Sequence, residues 1–115
     1  MAVVLETAVE AQDIVTALRP FGLTQDDVAL VTKVTTRAVR GWKAGNIRQD
    51  RYDRLSELRT IVVLLSDSLS PRGVGQWLHA RNRLLDGERP IDLLGRGESK
   101  RVEQAAQGFV EGAYV

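Results

Sequence analysis

The chain contains no cysteine. Without thiols neither a disulfide framework nor a thiolate metal site can form, which fits a reducing compartment and makes the cytoplasm the expected location. Histidine is nearly as scarce. His79 is the single one in 115 residues, it has no evident carboxylate partner in the sequence, and a surface or helix-end histidine is a simpler reading of it than a general base. Apolar runs are short: Ile61 to Leu65 is far from the roughly 20 residues needed to cross a bilayer, so no membrane partner is expected. Met1 to Ala11 has no basic segment ahead of an apolar stretch and does not read as a signal peptide. Metal-ligand spacings are absent, and so is a glycine-rich phosphate loop following a strand. Neither an enzyme nor a cofactor site is expected. No low-complexity tract or internal repeat stands out.

Net charge is also small, at +1, which argues against a protein that coats polyanions along its whole surface. Its distribution is uneven. Residues 1–32 hold one Arg and five acids (−4), residues 33–54 hold seven Lys and Arg against two Asp (+5), and residues 55–115 hold eight of each sign. Such focusing matters more for nucleic-acid affinity than the total.

The basic block begins in the most informative part of the chain. Thr24 suits an N-cap for a helix starting at Gln25, with Asp26 and Asp27 in its first turn favoured by the helix dipole. Val28, Ala29 and Val31 give this helix an apolar side, and Ala29 is small enough for a close helix crossing. Thr32 and Lys33 make a turn. Thr35 then caps a second helix from Thr36 to about Ala44, ending near Gly45. At roughly 100° per residue, Ala38, Val39 and Trp42 share one side of that helix, while Thr36, Arg40 and Lys43, flanked by Arg37, gather on the other. An anchored apolar side opposite long donors is what a DNA recognition helix needs. The expected DNA-binding residues are Gln25, Thr35, Thr36, Arg37, Arg40, Lys43 and Arg48. Two blander readings stand beside this one. The pair of helices can be a packing module that touches no DNA, and Arg48, Arg51 and Arg54 can be a solvated helix face paired with Asp50 and Asp53.

The rest also reads as helix, so an all-α fold is expected, with 43% hydrophobic residues to build it. Apolar residues recur at helical spacing from about Glu6 to Leu18, until Pro20 and Gly22 break the run. Tyr52, Leu55, Leu58, Ile61, Val62 and Leu65 mark the stripe of a longer helix over residues 50–67, either core or a dimer seam. Ser70-Pro71 opens a further helix with Val74, Trp77 and Leu78 inward, stopping near Ala80 to Asn82. Residues 82–90 form a compact connector with Leu84 and Leu85 both pinned inward. Pro90 starts a short helix ended by Gly95, and a last helix between Gly97 and Gly112 carries the stripe Val102, Ala105, Ala106, Phe109 and Val110. The division expected is residues 1–68 and 69–115, two halves too small to be secure alone and therefore packed together.

With Gln25, Ala29, Val34, Thr35, Val39 and Trp42 in their usual places, the first half resembles the helix-turn-helix of Xre-type repressors. One departure is Lys33, where that family commonly has glycine; a side chain there is strained if its φ is positive. The second half resembles the toxin-binding domain of MbcA/ParS antitoxins through Trp77-Leu78, Asn82-Arg83-Leu84-Leu85-Asp86-Gly87, Pro90-Ile91-Asp92-Leu93-Leu94, Gly97, Arg101-Val102 and the closing Glu111-Gly112-Ala113-Tyr114-Val115. Together the resemblances run from about Leu23 to the end. They imply a type II antitoxin in tight complex with a RES-domain toxin that consumes NAD. Carried over, the toxin-binding residues are Glu111, Gly112, Ala113, Tyr114 and Val115, a tail that occupies or covers the NAD pocket; a frayed terminus is the plain alternative. The first half then binds operator DNA and represses the operon, and a homodimer or a larger hetero-oligomer with the toxin is expected. The competing function is a stand-alone repressor whose second half serves only oligomerisation.

Overall fold

Side-chain caps from Thr24, Thr35 and Ser70 open three of the helices in the computed structural model, which describes residues 2–112. Eight α-helices are found among these residues: α1 Ala2–Thr7, α2 Ala11–Leu18, α3 Gln25–Thr32, α4 Thr36–Gly41, α5 Gln49–Leu65, α6 Pro71–His79, α7 Pro90–Gly95 and α8 Ser99–Gly112. Short 3₁₀ turns cover Arg19–Phe21, Trp42–Ala44 and Arg83–Leu85. The described residues form no β-sheet, so the fold is all-α; a lone bridge joins Asn82 to Glu88. No helix among them is long and apolar enough to cross a membrane.

The stripe of α5 is core. Leu55, Leu58, Ile61 and Leu65 are completely buried, and the helix packs against α1, α2, α3 and α8. Each such side chain contributes about 1.5–3 kcal/mol of apolar burial. One continuous cluster runs from Leu5 through Phe21, Val28 and Leu58 to Leu78, Ile91 and Val102, so both halves share a core.

Contacts across the junction are close. An added Cβ on Gly75 of α6 would stand 2.2 Å from the Phe21 carbonyl oxygen. Glycine is required here because the backbones touch. A Cβ on Gly95 would make a looser but still tight contact with Leu30 of α3, at 3.1 Å from its Cδ1 and 3.2 Å from its carbonyl oxygen. Arg54 of α5 donates through Nη1 to the carbonyl of Val31 at 2.8 Å and of Leu94 at 3.2 Å, one guanidinium serving the ends of α3 and α7.

Two expectations require correction. Residues 6–18 are not one helix: the chain breaks at Ala8–Glu10, and Glu10 is extended ahead of α2. The carbonyls of Ala8 and Val9 accept from Arg59 and Tyr52 of α5, long-range partners that satisfy backbone groups released by the break. Nor are both leucines of the connector inward. Leu85 is 2% exposed, whereas Leu84 is 66% exposed. The turn separates successive side chains by roughly 120°, and here it directs Leu85 inward and Leu84 to solvent.

Candidate functional site

The basic face is built on α3 and α4, which pack on each other. Thr24 and Asp27 form a reciprocal capping box: the Asp27 amide donates to Thr24 Oγ1 at 3.2 Å and the Thr24 amide to Asp27 Oδ2 at 2.9 Å. Thr35 Oγ1 accepts from the Ala38 amide at 3.1 Å. Between the helices Lys33 adopts φ 58°, ψ 46°, so the left-handed turn is made with a lysine and its strain is tolerated. Val39 and Trp42 are buried, and the latter leads through a 3₁₀ turn into Gly45 at φ 86°.

Burial of that side turns the other to solvent. Arg37, Arg40 and Lys43 are exposed, Thr36 is half-buried and Thr35 is exposed. Gln25, half-buried at the start of α3, accepts from Arg40 Nη1 at 3.5 Å and so meets the face from the neighbouring helix. Among the described residues Arg37 and Lys43 meet no carboxylate. Arg48 is exposed and paired with Asp50 at 3.2 Å, a surface bridge worth little to stability. The other two arginines of that segment do not form a solvated row with it. Arg51 donates to the Thr32 carbonyl at 3.2 Å and Arg54 to those of Val31 and Leu94, so both cap the end of α3.

His79 has a carboxylate partner after all. Its Nε2 lies 3.0 Å from Oδ1 of Asp27, which is 52 residues earlier, and its Nδ1–H donates to the Gly75 carbonyl at 2.8 Å. With both ring nitrogens occupied, His79 links α6 to the capping box of α3.

The second candidate surface lies along α8. Its inner row, Val102, Ala105 and Ala106, is buried, and half-buried Phe109 meets Trp77 of α6 at 6.4 Å between ring centroids. Beside it the connector is fastened by charge. Arg96 holds Glu88 at 2.8 Å and Glu98 at 3.0 Å, while Arg101 holds Glu98 at 2.8 Å and Asp86 at 3.2 Å. Hydrogen bonding to Arg96 holds the Glu88 carboxyl below its ordinary range, and bonds to Arg101 and then Arg96 do the same for Glu98. That support is present above the ordinary carboxylate range and is lost as pH falls through the lowered values. Glu111 and Gly112 occupy the exposed last turn of α8, with Gln107 Nε2 donating to Glu111 at 3.2 Å. Ala113, Tyr114 and Val115, the remainder of the expected tail, lie outside the described residues.

No protein-family model matches the chain. A Mycobacterium tuberculosis protein named "probable mycobacterial cidal antitoxin" is 64% identical over 115 residues, covering all of both chains. The mycobacterial cidal antitoxin MbcA of Mycobacterium bovis is 32% identical over 101 residues, covering 86% of this chain and 89% of its own. Among solved structures, a chain from the M. tuberculosis MbcT–MbcA toxin–antitoxin complex matches with a TM-score of 0.77 at 30% identity, covering 95% of this chain and 100% of its own. The chain therefore belongs to the family of mycobacterial cidal antitoxins typified by MbcA.

Proposed function

We propose that this antitoxin binds and inhibits a RES-domain toxin that degrades NAD, its residues Glu111 to Val115 blocking the NAD pocket, and that it represses its own operon. Residues 1–68 serve as the Xre-like helix-turn-helix part and residues 69–115 as the toxin-binding part. The observation that carries the toxin partner is the match over 95% of the chain to a protein solved in a toxin–antitoxin complex. Catalysis in such a pair belongs to the toxin. The test is NAD consumption by the purified product of the adjacent gene, with and without this chain; suppression by stoichiometric antitoxin is expected, and undiminished consumption would refute the reading. A stand-alone repressor is the weaker account, since the relatives carry antitoxin names.

For DNA the support is the exposed row Arg37, Arg40 and Lys43 on a helix anchored by Val39 and Trp42. Replacing Arg37 and Arg40 by alanine is expected to weaken operator binding about 10–1,000-fold and to lower the salt slope by about two. Equal affinity of wild type and double variant across a salt series would remove α4 from the interface.

A further inference from the structure

The connector 82–88 holds a large apolar side chain out in water. Leu84 is 66% exposed in the middle of the 3₁₀ turn, yet its backbone is tied by hydrogen bonds. Its amide donates to Asn82 Oδ1 at 2.9 Å, the Asn82 amide to the Glu88 carbonyl at 3.0 Å, and Arg96 and Arg101 clamp Glu88 and Asp86. Beneath it lies a groove of about 300 Å³ lined by Leu84, Leu85, Arg101, Gln104, Ala105 and Gly108. Gly108 leaves the groove open, with nothing within 4 Å of the position its Cβ would take.

We infer that this groove, with Leu84 as its anchor, is a second docking surface for the same toxin, receiving an apolar side chain of the toxin between Leu84 and Gly108. The inference rests on the antitoxin reading given above. Two observations select the toxin as occupant. First, Arg101, Gln104, Gly108 and Glu111 lie three or four residues apart along α8, so the groove and the start of the tail share one side of the helix. At 1.5 Å per residue Gly108 is about 4.5 Å along the axis from Glu111, the start of the tail, so a partner gripping the tail comes close to the groove. Second, five residues are too few for a stable complex, which needs roughly 20–30 residues a side. Further area is needed, the groove adjoins the tail, and an exposed leucine over a concave patch suits an interface anchor.

The test compares toxin affinity, by calorimetry on full-length chains, for wild type, Leu84→Asp and Gly108→Leu. Each substitution is expected to weaken binding about 30-fold or more. Leu84→Asp should leave the melting temperature of the free antitoxin unchanged. Gly108→Leu should raise it, because glycine in a helix interior is unfavourable, so its loss of affinity cannot be ascribed to unfolding. Wild-type affinity in both variants would overturn the groove while leaving the antitoxin reading intact. Absence of binding by the wild type would overturn both. A change in the oligomeric state of free Leu84→Asp with unaltered toxin affinity would assign the patch to self-association and overturn it as well.

Discussion

Gly75→Ala is expected to lower the melting temperature by about 12 °C or more. The added methyl would sit 2.2 Å from the Phe21 carbonyl oxygen, a backbone atom that cannot swing aside as a side-chain tip can. Overpacking typically costs about 1–3 kcal/mol, and a rigid obstacle places this case at or above the upper end. A destabilisation of about 3 kcal/mol corresponds to roughly 12 °C in a domain of this size. Gly41→Ala is the matched control: nothing lies within 4 Å of that Cβ and its φ is −70°. That change should raise stability by up to about 1 kcal/mol. If Gly75→Ala melts with the wild type, the close approach of α6 to the 19–21 turn does not exist in solution. Since the contact joins both halves of the core, DNA binding and toxin inhibition should decline together in the variant as it unfolds.

Removal of Gly112 to Val115 should separate those activities. Among the described residues the deletion removes only the exposed Gly112, so melting temperature and operator binding are expected to hold. Toxin inhibition is expected to weaken about 100-fold or more, because the residues lost are those proposed to enter the NAD pocket. Tyr114 offers such a pocket apolar area with a hydroxyl handle. The readout is residual NAD consumption against antitoxin concentration. Undiminished inhibition by the shortened chain would sink the plug and leave toxin recognition to the rest of the molecule.

Much of the architecture was legible because the signals are local. Thr24 with Asp27 and Thr35 with Ala38 announce helix starts within three residues, and Ser70-Pro71 does the same for α6. The stripe of α5 needed only helical spacing, and burial of Leu55, Leu58, Ile61 and Leu65 follows it. Long-range choices were hidden. Nothing near Arg54 in sequence distinguishes it from Arg48, yet one is partly buried and caps two helices while the other lies at the surface. His79 finds Asp27 only through the packing of α6 on the first half. The break at Ala8–Glu10 depends on Arg59 and Tyr52, more than 40 residues away. For the candidate surfaces, the basic residues of α4 were readable from helical phase, whereas the exposure of Leu84 depends on which of two adjacent leucines the turn directs inward.

The single guanidinium of Arg54 bridging Val31 and Leu94 bears on how such antitoxins can diversify. A hybrid gene taking its first half from one relative and its second from another would have to import a compatible arginine, its two carbonyl acceptors, the Phe21–Gly75 contact and the Asp27–His79 pair together. The two halves are thereby inherited as a unit, and new surface properties are reached more readily by substitutions on the exposed faces of α4 and α8 than by exchange of halves.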